Sequence, residues 1–158
     1  MKSYKMKRIS KTLPLLMGLM VALLSSCSSV DEKVISAGDY SKSECEHLTR
    51  GVSVEGNPIL KLTHDGDKVY GEIQNYKVYC REGPSLDCKA DDSLLDIHVS
   101  MGEATACVCY VNFYFTVFNA SNDSYQVVLN DEPLGRVSFA GHKTVLIDLT
   151  SREQTYES

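Results

Sequence analysis

The chain contains no tryptophan, and only four of its 158 residues are histidine. Without tryptophan it lacks the broad aromatic surface on which sugar rings are usually stacked, which weakens a carbohydrate-binding reading. None of the histidines (His47, His64, His98 and His142) has a partner at a spacing that serves metal or nucleophilic chemistry. H-E-x-x-H, G-x-S-x-G and the phosphate-binding P-loop are all missing. Basic residues are scarce too. All 21 acidic residues follow residue 27, whereas five of the 16 lysines and arginines precede it. Residues 27–158 therefore carry eleven positive against twenty-one negative charges, a formal net of −10. That balance excludes nucleic acid as a partner, because its phosphates demand clustered Lys and Arg. It excludes a polybasic membrane contact on the same ground. Beyond residue 27 no stretch carries an apolar stripe of helical period.

What is present begins with an export pattern. Lys2, Lys5, Lys7, Arg8 and Lys11 precede an apolar run from Leu13 to Leu24. The run falls short of the roughly 20 residues a bilayer span needs, but it suits a cleavable signal. Leu24-Ser25-Ser26-Cys27 then resembles the lipobox of bacterial lipoproteins. The resemblance implies diacylglycerol on the Cys27 thiol, cleavage just before it, and acylation of the new amine. Each methylene buried in the membrane contributes about 0.8 kcal/mol, so several chains hold firmly where one does not. Ser28 stands where the enterobacterial sorting rule places a retaining Asp, which points to the outer membrane. Asp31 and Glu32 resemble the surface-export signals of Bacteroidetes lipoproteins. The expected location is the outer membrane, on its periplasmic face or at the cell surface.

The expected organisation is a signal over 1–26, the lipidated cysteine and a polar tether over 27–43, one domain over 44–150, and a frayed tail over 151–158. Within the domain the apolar period is two. Leu60 and Leu62 share a face, His64-Asp65-Gly66-Asp67 supplies a turn, and Val69, Gly71 and Ile73 return. Leu95, Ile97, Val99 and Met101 alternate with Leu94, Asp96, His98 and Ser100. Over 106–118, Cys107, Cys109, Val111, Phe113, Phe115 and Val117 form one face. Val108, Tyr110, Asn112, Tyr114, Thr116 and Phe118 form the other, so this strand is expected to be covered on both sides or to bend at a bulge. SYQVVL, RVSFAG and TVLIDL follow, the last turning Val145, Ile147 and Leu149 inward. Short strands joined by Gly, Asn and Asp turns predict an all-β antiparallel sandwich, with a small barrel as the alternative.

Five cysteines remain beside the lipidated one: Cys45, Cys80, Cys88, Cys107 and Cys109. In an exported protein they predict a disulfide framework, and their odd number leaves at least one thiol free. Cys107 and Cys109 project to the same side of a strand with Cα atoms about 6.6 Å apart. That is near the upper limit for a bridge, so each is expected to reach a cysteine elsewhere. Cys45 is placed to tie the end of the tether to the domain. Two other chemistries use the same residues. Cys80, Cys88, Cys107 and Cys109, with His98, offer thiolate and imidazole ligands for zinc, and the C-x-C pair suits thiol–disulfide exchange.

An early hairpin, a strand ending at Cys80, and CVCYVNFYFTVFN followed by YQVVLN together resemble a group of small Bacteroidetes lipoproteins with a C-x-C central strand. The resemblance spans residues 58–149. It implies an all-β envelope domain and transfers no catalytic residue. Asp92-Ser93-Leu94 fits the short D-[ST]-L pattern of O-glycosylation in that phylum.

No nucleophile, base and metal converge on one cleft, so the chain is read as a non-enzymatic binding or envelope-interaction module without a cofactor or resident metal. Asp65 with Asp67, and Asp91 with Asp92, read as turn residues. Tyr110, Tyr114 and Phe118 share a strand face and form the candidate binding surface for a protein or glycan. That role requires that no second sheet cover them.

Overall fold

The computed structural model describes residues 34–45, 56–80 and 83–158. Cys27 with its export signal, and His47, lie outside the described residues. Among the described residues ten strands follow in chain order: β1 (Ser36–Lys42), β2 (Ile59–Asp65), β3 (Lys68–Tyr79), β4 (Pro84–Ala90), β5 (Leu94–Met101), β6 (Val108–Phe118), β7 (Ser124–Leu129), β8 (Glu132–Ser138), β9 (Thr144–Asp148) and β10 (Gln154–Glu157). They form a six-stranded sheet in the order β1-β6-β3-β2-β9-β10 and a four-stranded sheet in the order β4-β5-β7-β8. The architecture is the sandwich, not the closed barrel. It is not wholly antiparallel, since β5 and β7 run parallel, with Leu94–Ile97 beside Gln126–Leu129. The connection between them passes through β6 in the other sheet, which is long enough to return the chain in the same direction.

Period-two patterning accounts for the core. Leu60 and Leu62 of β2, Val69 and Ile73 of β3, Phe113, Phe115 and Val117 of β6, and Val145 and Ile147 of β9 are buried. They face Leu95 and Ile97 of β5, Tyr125 and Val127 of β7, and Val137 of β8, so each sheet offers one apolar face to the other. Side chains of this kind each contribute roughly 1.5–3 kcal/mol over their exposed state. Met101 is the exception on β5: it lies at the strand end and is exposed.

The turns follow backbone chemistry. β2 and β3 pair up to Asp65 and Lys68, which leaves Gly66 and Asp67 as the loop. Gly66 has φ 64, a conformation that glycine adopts without a Cβ clash. Between β7 and β8 the loop is Asn130-Asp131, with φ 49 and 65. Two successive positive values define the primed hairpin turn for which Asn and Asp are favoured. β8 therefore begins at Glu132, earlier than the NDEPLG turn expected from sequence.

Two boundaries are corrected. The second half of the expected tether is β1, paired with β6 from Ser36–Phe118 to Lys42–Phe113. The expected frayed tail contains β10, in which Gln154–Glu157 pair with β9. Both are largely exposed edge strands. Backbone pairing holds them, and that leaves no apolar alternation to read.

β1 also joins the two sheets. The Tyr40 hydroxyl donates to the Cys88 carbonyl at 3.0 Å, and Lys42 Nζ donates to the Pro84 carbonyl at 3.2 Å, both on β4.

Candidate functional site

The sulfur chemistry gathers at one end of β6. Cys45 is bridged to Cys109 and Cys80 to Cys107, with Cα separations of 5.7 and 5.4 Å. Cys107 and Cys109 thus reach different partners, and Cys45 fastens the chain just past β1. The local backbone sets this up. Tyr79 and Val108 are the last partners of the β3–β6 ladder, and the Cys80 N–H donates to the Cys107 carbonyl at 3.1 Å. On the other side of β6 the Ser43 N–H donates to the Asn112 carbonyl at 2.8 Å. The Asn112 N–H donates back to Ser43 Oγ at 3.0 Å.

The proposed four-cysteine ligand set is not assembled as expected. Among the described cysteines Cys88 is the free thiol, and it stands apart on β4, opposite Ile97. Cys45 takes its place, and Sγ atoms of Cys45, Cys80 and Cys109 all lie within 4.8 Å of one another. All three are in disulfides, and it is the thiolate that serves as a zinc ligand. Burial pushes the Cys88 thiol up to about 12, with Asp87 and Asp96 adding to the effect. It is therefore an inert thiol that packs as a small apolar group.

The histidines are dispersed. His64 Nε2 lies 3.0 Å from the Ala120 carbonyl, and its ring stacks on Phe139. His98 faces Asp96 at 3.2 Å on the outer side of β5, and His142 lies beside Tyr156. Asp91 is a turn residue: its Oδ1 accepts the N–H groups of Ser93 and Leu94, both at 2.8 Å. Those bonds hold its carboxyl below the ordinary carboxylate range. Asp92-Ser93-Leu94 opens β5, with Asp92 and Ser93 exposed.

The pairing of β6 with β3 carries an irregularity between Ile73 and Tyr76, and the aromatic face of β6 is covered in part: Val108, Tyr110, Asn112 and Phe118 are half-buried, Thr116 is buried and Tyr114 is exposed. Its residues Tyr110, Tyr114 and Phe118 do not form one continuous surface. Four residues apart, successive members are about 13 Å apart along the strand, and each has its own surroundings. Phe118 lies under Lys68, whose Nζ is 5.3 Å from the ring centroid. Tyr110 stands opposite Lys77 and lines a depression with Asn75 and Met101. Tyr114 is exposed and stands opposite Glu72.

The partner of Tyr114 comes from the next strand. Tyr70 of β3 stands opposite Thr116, one diagonal step from Tyr114, and is 44 % exposed. The two tyrosines border an open depression of about 360 Å³, together with Asp39, Lys61, Thr63 and Glu72. Lys61 stands opposite Glu72 across the β2–β3 pairing. Asp39 reaches the depression from an irregularity in β1, with φ 52. The arrangement offers two aromatic faces, a cation and two carboxylates on a rigid sheet. Tyr70 was legible only as the outward member of K-V-Y-G-E-I; its proximity to Tyr114 follows from the β3–β6 register.

No family model, no curated protein and no solved structure matches this chain.

Proposed function

We propose that the chain is a lipid-anchored envelope protein whose role is non-enzymatic binding of a protein or glycan through the outer face of its six-stranded sheet. One observation carries this reading. Tyr70 and Tyr114 stand exposed beside one depression, with Lys61, Glu72 and Asp39 around them. Exposed tyrosines on a rigid strand present large amphipathic area at little entropic cost, and flanking charges give orientation. The resemblance of Leu24-Ser25-Ser26-Cys27 to a lipobox supports the anchor. Among the described residues the lining of the depression contains no histidine, and its carboxylates are Asp39 and Glu72.

Two measurements test the reading. The full chain and its Cys27→Ala variant are compared for palmitate incorporation and for sedimentation with outer membranes; both are expected to be lost in the variant. Separately, the protein is tested on isolated envelope fragments against a Tyr70→Ser/Tyr114→Ser variant. Binding is expected to fall at least tenfold, about 1.4 kcal/mol, with the circular dichroism spectrum and disulfides unchanged. Equal binding by the two proteins would remove the platform from the account.

A further inference from the structure

We propose that the two cystines work as one thiol-exchange unit, in which a reducing thiol that enters at Cys107 leads to release of Cys45. Three observations support this independently of the binding face. Sulfurs of both bridges lie together, since Sγ of Cys80 is within 4.8 Å of Sγ of Cys45 and of Cys109. A change of one cysteine rotamer spans such a gap. Access is graded: Cys107 is exposed, Cys80 and Cys45 are half-buried, and Cys109 is wholly buried. Finally, Cys45 and Cys80 line a common open depression of about 410 Å³, with Lys42 and Tyr79 on its walls.

The steps balance as follows, with a dithiol as the reductant. Its thiolate attacks Sγ of Cys107, the exposed residue of that bridge, a mixed disulfide forms, and Cys80 leaves as the thiolate. Cys80 then attacks Cys109 Sγ. A Cys80–Cys109 bond forms, and the electron pair of the broken Cys45–Cys109 bond leaves with Cys45, which takes a proton. The second thiol of the reductant resolves the mixed disulfide and frees Cys107 as a thiol. Two electrons and two protons pass from the dithiol to the protein, leaving one protein disulfide and two thiols. Attack on Cys45 instead would expel the wholly buried Cys109 as an anion, and burial disfavours that charge. Cys109 also lies diagonally across the β3–β6 pairing from Cys80, since Val78 is its direct partner. After exchange the cross-link lies within the β3–β6 pair. The chain beyond β1 is then held to β6 by the Ser43–Asn112 hydrogen bonds.

The test uses the full chain in detergent, titrated with substoichiometric dithiothreitol, quenched in acid and alkylated with N-ethylmaleimide. Fragment spectra that break at Val108 assign label to Cys107 or Cys109. The expected result is label at Cys45 and Cys107 with a Cys80–Cys109 cross-linked peptide. Label at Cys80 and Cys107 with Cys45–Cys109 intact would overturn the proposal. So would label at Cys45 and Cys109, or no reduction in the folded protein. A Cys107→Ser variant adds a reading without reductant: its Cys80 thiol is expected to exchange, so label appears at Cys45. Label confined to Cys80 counts against the unit. Should that variant fail to fold, the titration of the unaltered chain still decides.

Discussion

The Phe115 ring lies over Gly71, its partner across the β3–β6 pairing, and fills the space where a side chain on residue 71 would stand. Glycine here meets a need for close approach, since its φ lies outside the left-handed region. Phe115 is 2 % exposed and belongs to the core that both sheets share. Gly71→Ala is expected to expel the ring and destabilise the fold by about 1–3 kcal/mol, the usual cost of overpacking. Urea denaturation checks this. Combining Gly71→Ala with Phe115→Leu is expected to cost less than the two single losses added, because they share one volume.

The buried Cys88 thiol gives an alkaline prediction. Its folded value is raised from 9.0 to about 12, so the folded state keeps the proton that the unfolded chain gives up. Its contribution to stability is complete below the ordinary value and is lost as pH rises from there through about 12. The slope is at most about 1.4 kcal/mol per pH unit. Denaturation midpoints of the wild type and Cys88→Ala between pH 8 and 11 are expected to converge as pH rises. Cys88 is also expected to resist N-ethylmaleimide until the protein unfolds.

Strands that bury one face announced themselves by alternation, and the sandwich, the β2–β3 hairpin and the separate fates of Cys107 and Cys109 were legible on that basis. β1 and β10 were not. SAGDYSK and QTYE bury little, and their stability comes from backbone pairing to β6 and β9, which leaves no residue pattern. The candidate site was half legible for a related reason. Tyr114 could be placed on an outward face from β6 alone, whereas Tyr70 joins it only through a cross-strand register. Cys88 shows the same limit: its isolation follows from which sheet β4 enters.

The hairpin turn at Asn130 carries two functions in one side chain. Its backbone adopts φ 49, and its Oδ1 accepts the Val99 N–H at 2.7 Å, tying the turn to β5. Asn130→Gly is expected to keep the turn and lose both this bond and the one its Nδ2 donates to the Tyr76 hydroxyl at 3.3 Å, costing about 1–2 kcal/mol. Asn130→Ala is expected to cost more, because alanine keeps a Cβ at this positive φ without the local polar bonding that lets Asn adopt it. Thermal denaturation of both variants separates the two contributions.

Asp148 closes β9 with a set of accepted bonds. Asn57 Nδ2 donates to Oδ2 at 2.7 Å, and the N–H groups of Thr150 and Ser151 donate to Oδ1 at 2.7 and 2.9 Å. The Asn57 bond, then the backbone bonds, hold its carboxyl below its ordinary value of 3.8. Its stabilisation is therefore present above that value and lost as pH falls through the lower, folded one. Titration of the carboxyl carbon by NMR is expected to give a midpoint below 3.8. Asp148→Asn is expected to flatten the acid limb of the stability profile.

β10 is where the sequence-based reading of a frayed end meets a paired strand. Removing residues 153–158 takes away its ladder with β9. It also removes the bond from Gln154 Nε2 to the Leu134 carbonyl at 3.3 Å, which reaches β8 in the other sheet. β9 would then become the edge of the six-stranded sheet, with Val145 and Ile147 behind an unpaired backbone. Such an edge loses amide protection and offers itself to other chains. The truncated protein is expected to melt earlier, to exchange the amides of Thr144–Asp148 faster, and to self-associate on a sizing column. Unchanged exchange in β9 would show that this end contributes nothing to the sheet, as its polar sequence first suggested.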